Sequence, residues 1–161
     1  MRKSQIYSQA FIYILTVIVI SFILVFGYNA VVNFKKRADQ VSCLKFKNDL
    51  INAVDSITGD YGSVKRKDIK LCSDYMQVCF VETFQAIDKN NLPIDIDPII
   101  KNNILSDTGR NAFLVEKIAK ESFYVGNISV DGNLLCINST RNEISLRLEG
   151  KGNYVLLSKW V

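Results

Sequence analysis

The chain has 161 residues, and 20 Lys+Arg against 16 Asp+Glu give a formal net charge of +4. It contains no histidine, which excludes His-based nucleophile systems, His-ligated zinc and the usual general base near neutral pH. The nearly balanced charges give no electrostatic footprint for nucleic acid, and the sequence has neither a glycine-rich phosphate loop nor a CxxC pair. We therefore expect a protein that is not an enzyme, with no cofactor, no metal and no nucleic-acid partner.

The first feature along the chain is a long uncharged segment. No charged residue lies between Lys3 and Lys35, which leaves 31 consecutive uncharged residues. A helix needs roughly 20 apolar residues to cross the bilayer core. An ordinary secretory signal peptide has an apolar region of only about 7–15 residues. The sequence therefore predicts a short basic leader over 1–4, a transmembrane helix over 5–34, and a single-pass membrane protein.

The helix is predicted to continue beyond the membrane as an amphipathic segment over 35–58. Apolar residues recur there at spacings of three and four, with polar residues between them. Thr58-Gly59-Asp60 then supplies the stop, because glycine is the commonest residue after a helix end. One continuous helix is favoured, and the alternative is two helices with a break near Asn33. The predicted apolar face consists of Cys43, Phe46, Leu50, Val54 and Ile57.

The remainder, 59–161, is predicted to be a β-rich extracytoplasmic domain, because apolar and polar residues alternate along it. Asp131-Gly132 lies between two apolar runs and predicts a hairpin. Pro98 suits the first turn of a short helix, and 90–93 reads as a loop. Further strands are expected around 69–71, 78–81, 112–117, 122–125, 144–148 and 154–160, with a hairpin-like interruption at 72–75. The expected fold class is α+β, one long N-terminal helix packed on a small, mostly antiparallel sheet domain.

All four cysteines follow the membrane segment. An even number in a small extracytoplasmic domain suggests two disulfides, with three pairings open. The alternative is four buried thiols. The spacings lack the close ligand pairs of a zinc site. One cysteine of the predicted helix face is suited to tie the helix to the sheet. The candidate disulfide residues are Cys43, Cys72, Cys79 and Cys136.

Two sequons, at Asn127 and Asn138, are candidate N-glycosylation sites. Two is about the number that chance provides in a chain of this composition.

Three other features have structural interpretations. The carboxylates of Asp95 and Asp97 alternate with apolar residues, which is typical of a solvated strand face. The basic run 65–67 is suited to blunt the edge of a sheet. Trp160 is expected to close the core.

The N-terminus resembles archaeal type IV pilin-like proteins with a class III signal peptide. The short basic leader ends at Ser4, and the apolar helix begins directly with Gln5, the family's first mature residue. The resemblance implies cleavage between Ser4 and Gln5, although Ser4 stands where the family usually has Gly or Ala. Gln9 occupies the fifth mature position, where the family commonly has Glu. It is the implied polar helix-packing position, able to accept a hydrogen bond from a neighbouring subunit's α-amino group.

This resemblance implies a structural subunit, major or minor, of an archaeal type IV pilus-like surface filament that is held in the membrane before assembly. The implied partners are the membrane, copies of the chain packed through the N-terminal helix, a prepilin peptidase and the pilus assembly machinery. An apolar helix suits both lipid and copies of itself. The alternative is a single-pass anchored extracytoplasmic binding module that is never cleaved or polymerised.

Different features of the sequence predict opposite orientations in the membrane. Basic residues are fewer before the apolar segment, at Arg2 and Lys3, than after it, and the positive-inside rule would place the domain in the cytoplasm. The short leader and the cysteines favour the reverse. We expect a cytoplasmic N-terminus, an extracytoplasmic and glycosylated domain, and a cell-surface location after assembly. The basic residues after the segment are Lys35, Lys36, Arg37, Lys45 and Lys47.

Overall fold

The computed structural model describes residues 4–72, 75–85, 87, 92–93 and 95–160, with the side chains of residues 4–9 outside the description. Helix α1 (Ser4–Thr58) is continuous and ends one residue before Gly59, as predicted. The alternative break near Asn33 does not occur. The chain divides into two compact units, Met1–Gln40 and Val41–Val161.

The second unit contains two four-stranded sheets. Their strand orders are β1-β7-β8-β5 and β4-β3-β2-β6. All neighbouring strands are antiparallel except β5 and β8. The predicted α+β fold class is therefore confirmed. The elements after α1 are β1 (Val64–Lys70), β2 (Gln77–Val81), α2 (Pro98–Leu105), β3 (Ala112–Val115), β4 (Ala119–Phe123), β5 (Ile128–Val130), β6 (Leu134–Asn138), β7 (Glu143–Gly150) and β8 (Val155–Lys159).

The second half of α1 supplies the centre of the main core. The predicted apolar face is confirmed, since Phe46, Leu50, Val54 and Ile57 are all buried. Burying each such side chain contributes about 1.5–3 kcal/mol. Strands of both sheets contribute side chains to the same cluster. These side chains include Ile69, Val78, Leu114, Ile137, Leu146 and Leu157.

Helix α2 covers the opposite face of the β2-containing sheet. Ile100 and Ile104 pack there with Cys79 and Phe113 in a second, smaller cluster. Strand β2 is apolar on both faces because both are covered, as in any doubly buried strand. Pro98 opens α2 as predicted.

The interpretation of Asp97 as part of a solvated strand face was wrong. Asp97 is the N-cap of α2, and its Oδ1 accepts a hydrogen bond from the backbone N–H of Ile99 at 2.8 Å. Capping satisfies a backbone donor that has no partner inside the helix.

The predicted hairpin at Asp131-Gly132 forms its turn but not its strand pair. Gly132 and Asn133 both have positive φ, as the turn requires. However, β5 pairs with β8, and β6 pairs with β2. The local turn signal therefore predicts where the chain reverses but not which strands pair, and β5 lies fully buried in the sheet of β7 and β8. Residues 73 and 74 of the predicted interruption at 72–75 lie outside the described residues. The strands on either side of it belong to different sheets, because β1 pairs with β7 and β2 pairs with β3 and β6.

Gly150 allows the end of α1 to lie against β7. A Cβ at this position would sit 2.3 Å from the carbonyl oxygens of both Ile57 and Asp60. The Gly150 carbonyl also accepts a hydrogen bond from the N–H of Gly62 at 2.9 Å. Only glycine permits this approach of two backbone segments.

Three remaining sequence predictions have mixed outcomes. The basic run 65–67 lies on β1, an exposed edge strand, as predicted. Trp160 does not close the core: it is 36% exposed, and the Arg66 guanidinium lies 5.6 Å from its ring centroid. Residues 90, 91 and 94, in the predicted loop and beside it, lie outside the described residues.

Candidate functional site

The first candidate functional surface is the apolar stretch of α1 from Ala10 to Phe34. By length and composition this helix can cross a membrane, and no part of its most apolar window is buried by the residues that the structure describes. Two of its hydroxyls are satisfied inside the helix: Thr16 Oγ1 donates to the Tyr13 carbonyl, and Ser21 Oγ donates to the Val17 carbonyl, each at 2.8 Å. A bilayer imposes this internal satisfaction of polar groups. The stretch therefore has the chemistry of a membrane segment.

The residues at the implied cleavage point lie at the start of α1. The backbone is helical from Ser4, so the Ser4–Gln5 bond and Gln9 belong to the first turns. The side chains of these three residues lie outside the description, as does the rest of the leader. Cleavage and the packing role of Gln9 remain predictions.

A second exposed apolar surface lies on α1 inside the folded unit. Val41 and Leu44 are 65% and 58% exposed, although Cys43 between them is half-buried against the core. Residues three apart share one side of a helix. This pair therefore presents apolar surface away from the domain core.

The structure selects one of the three open disulfide pairings. Cys43 bonds to Cys72, with their Cα atoms 4.9 Å apart, and so ties α1 to the segment after β1. Cys79 bonds to Cys136, with Cα atoms 4.0 Å apart. These two residues are direct partners in the β2–β6 register. The prediction of two disulfides is confirmed, and the four-thiol alternative is wrong.

Glu82 holds the junction between the two sheets. It is 3% exposed, and its carboxylate accepts four hydrogen bonds. Oε1 accepts from the N–H groups of Phe84 and Gln85, and Oε2 accepts from Ser129 Oγ and the Val130 N–H. The charge is thus balanced by four donors at 2.8–3.0 Å. Sequence reasoning missed this residue, whose only signal is an acid directly after an apolar strand.

Asn111 extends the same junction. It is fully buried, and its Nδ2 donates to Thr83 Oγ1 and to the Gly126 carbonyl. Its Oδ1 accepts from the Val125 N–H at 2.9 Å. Such a fully satisfied buried amide orders the loops around it.

The two sequons differ in their surroundings. Asn127 is exposed, but the Ser129 hydroxyl of its sequon is buried and donates to Glu82. At the other sequon, both Asn138 and Thr140 are exposed, at the end of β6. Asn138 Oδ1 accepts a hydrogen bond from Gln77 Nε2 at 2.8 Å. The folded domain therefore exposes both the asparagine and the hydroxyl residue of the Asn138 sequon, but only the asparagine of the Asn127 sequon.

An ion pair ties α1 to the edge strand β4. Lys47 Nζ lies 2.6 Å from Glu121 Oε2 and 5.5 Å from the Phe123 ring centroid. The hydrogen bond from Lys47 is the main reason that the pKa of the Glu121 carboxyl lies below its usual value, and partial burial opposes this shift.

Two open pockets lie on the domain. The first, of about 510 Å³, is bordered by Phe84, which stacks on Tyr154 with ring centroids 4.0 Å apart. Its polar lining includes Glu82, Gln85, Asp107, Tyr124 and Asn127.

The second pocket, of about 300 Å³, is lined by both cysteines of the Cys79–Cys136 bridge and by Asp95, Asp97, Lys117 and Ile118. Among the described residues, no group of three His, Cys, Asp or Glu side chains is arranged to hold a metal ion. Comparison of the chain with protein-family models, with curated proteins and with solved structures finds no match.

Proposed function

We propose that this protein is a structural subunit of an archaeal type IV pilus-like surface filament, held in the membrane before assembly. The observation that carries the proposal is the continuity of α1. Its first part is apolar and exposed, and its second part forms the centre of the domain core. The same helix therefore contributes both to the core of the folded domain and to an apolar surface that needs a partner.

The apolar part of α1 suits two environments in succession. Exposed branched and aromatic side chains make favourable contacts with lipid or with the same helix of another copy. The hydroxyls of Thr16 and Ser21 require no outside partner in either environment, because both bond to carbonyls of the helix itself. Transfer from membrane to filament then exchanges one apolar contact for another.

The domain is proposed to lie outside the cytoplasm. Two disulfides support this placement, since such bonds persist in oxidising compartments. The proposed N-terminus is cytoplasmic, where a prepilin peptidase would cut between Ser4 and Gln5. Gln9 would then accept a hydrogen bond from the new α-amino group of a neighbouring subunit. Glycosylation is proposed at Asn138.

A second candidate function is a permanently anchored binding module. The pocket of about 510 Å³ supports it, because Phe84 and Tyr124 border the pocket beside amide and carboxylate groups. However, the Glu82 carboxylate in this pocket already accepts four hydrogen bonds from groups of the protein itself, so it is not available to a ligand. We therefore place this function second.

Assembly is tested by shearing surface filaments from cells and detecting the chain in them by electron microscopy with antibody labelling. The test variant is Leu44→Gln, which makes an exposed apolar position polar. The matched control is Lys45→Gln, since Lys45 is also exposed on the same helix. We expect Leu44→Gln to lower filament yield about tenfold, equivalent to about 1.4 kcal/mol per subunit contact, with membrane levels unchanged. A chain found only in the membrane fraction would contradict the proposal.

A further inference from the structure

The two disulfides occupy different environments. Cys72 is 1% exposed within the main core, and Cys43 packs against the same cluster. In the other bridge Cys79 is also buried, but Cys136 is exposed on β6, an edge strand of its sheet. The Cys43–Cys72 bridge therefore joins a buried and a half-buried residue, whereas the Cys79–Cys136 bridge joins a buried and an exposed residue.

An open pocket leads to the exposed bridge. Cys79 and Cys136 both line the cavity of about 300 Å³ in front of α2. Ile118, 53% exposed, stands at its border. A cavity of this volume can hold a small thiol, so a reagent that enters it meets both residues of the bridge in the folded domain.

We propose that the Cys79–Cys136 bridge is a thiol–disulfide exchange site for small uncharged thiols, with Cys136 as the sulfur that is attacked. The lining carries two carboxylates, Asp95 and Asp97, against one ammonium, Lys117. The attacking sulfur is itself an anion, so a thiol without any further negative charge is repelled least by this lining. Asp97 is held in place, because its two oxygens accept from the N–H groups of Ile99 and Ala119.

The exchange proceeds in two displacements. A reagent thiolate attacks Cys136 Sγ, a new S–S bond forms, and the electron pair of the Cys79–Cys136 bond leaves on Cys79 Sγ, which takes a proton from solvent. A second reagent thiolate then attacks the reagent sulfur of the mixed disulfide and releases Cys136 as a thiolate. The protein bridge is reduced to two thiols, and two reagent thiols are oxidised to one disulfide.

The fold is expected to survive this exchange. Strand β6 keeps its pairing with β2 along five residues, and Ile137 remains in the main core. The Cys43–Cys72 bridge still ties α1 to the domain. Reduction therefore replaces the disulfide in the pocket lining with two thiols and leaves the fold unchanged. The exchange does not require the protein to form a filament.

The test treats the full chain in detergent micelles with 2-mercaptoethanol for increasing times, traps free thiols with an alkylating reagent, and maps the products by peptide mass spectrometry. We expect Cys79 and Cys136 to be labelled at least about tenfold faster than Cys43 and Cys72, since exchange rates follow access to the sulfur. The mixed disulfide should form on Cys136. Equal rates for the two bridges, earlier labelling of Cys43 and Cys72, or an adduct on Cys79 would each overturn the proposal.

A pair of variants separates pocket access from general loosening. Ile118→Trp narrows the pocket and should slow labelling of Cys136 several-fold. Ile99→Trp adds the same bulk at an exposed position of α2 and should leave the rate unchanged. If both variants, or neither, slow the reaction, the pocket is not the route and the proposal is wrong.

Discussion

Glu82 is the residue on which the junction of the two sheets depends most directly. Replacing Glu82 with Gln keeps the size of the side chain but replaces one acceptor oxygen with an NH₂ group. The two donors that bonded to that oxygen then have no acceptor. We expect Glu82→Gln to lower the free energy of unfolding by about 2–4 kcal/mol, because each buried donor left unpaired costs about 1–3 kcal/mol. Urea unfolding in detergent, followed by fluorescence of the single tryptophan, measures the change.

The matched control for that variant is Glu143→Gln, since Glu143 begins β7 and is exposed. An exposed substitution of this kind changes stability by no more than about 0.5 kcal/mol. Equal effects of the two variants would show that the Glu82 hydrogen bonds carry no special weight.

The Lys47–Glu121 pair predicts a specific response to acid. The pKa of the Glu121 carboxyl in the folded domain lies below the usual 4.5 of a glutamate, chiefly because of the hydrogen bond from Lys47. The stabilisation is therefore fully present above pH 4.5 and is lost as pH falls through the lowered pKa. Because both side chains are partly exposed, its size is about 0.5 kcal/mol.

The check is the unfolding midpoint of wild type and Glu121→Gln across that pH range. The wild type should be the more stable at neutral pH, and the difference should shrink as the pH falls. Two parallel curves would contradict the role given to the pair.

For single residues, the sequence predicts which cysteines form disulfides better than it predicts which cysteine each one bonds to. Two disulfides follow from four cysteines beyond the membrane segment, but the pairing depends on the register of β2 with β6. Glu82 and Asn111 are not recognisable in advance, because their roles arise from loops that meet only in the folded domain.

Among the elements, α1 offers a direct comparison of its two faces. Leu50 is completely buried in the main core, whereas Leu44 on the same helix is 58% exposed. We expect Leu50→Ala to lower the free energy of unfolding by about 2–5 kcal/mol, since it removes core contacts and leaves a cavity. Leu44→Ala should change it by no more than about 0.5 kcal/mol.

Both variants are measured by urea unfolding with the disulfides intact. A large loss for Leu44→Ala in the unassembled protein would show that its surface is covered within the chain, contrary to the structure.

The surroundings of the two sequons predict which asparagine carries a glycan. Because the Ser129 hydroxyl is committed to Glu82, we expect peptide mapping of the native protein to find a glycan on Asn138 and none on Asn127. Thr140→Ala should abolish it, whereas Ser129→Ala should not change glycosylation. A glycan on Asn127 alone would contradict this expectation.

Elements differ in how far local sequence determines them. The periodicity of α1 and the stop at Gly59 predict its extent, because helical contacts are local. Strand partners are not local: the Asp131-Gly132 turn is correct, yet β5 and β6 belong to different sheets. Trp160 was misplaced for the same reason, since its environment depends on Arg66 across the sheet.

For the whole molecule, the composition already separates an uncharged N-terminal segment from a nearly neutral domain. The structure shows that one helix belongs to both. In the described part of the chain, the apolar window of this helix is left uncovered. In the proposed function, removal of the leader decides whether lipid or another copy of the chain covers that surface.

The central claim is tested most directly by the intact mass of the protein from native membranes, measured before and after reductive alkylation. The account predicts a chain that lacks Met1 to Ser4 and begins with Gln5, with two disulfides revealed by the mass added on alkylation. A chain that retains its leader would contradict the filament subunit and favour the permanent anchor. Four free thiols before reduction would contradict the extracytoplasmic placement of the domain.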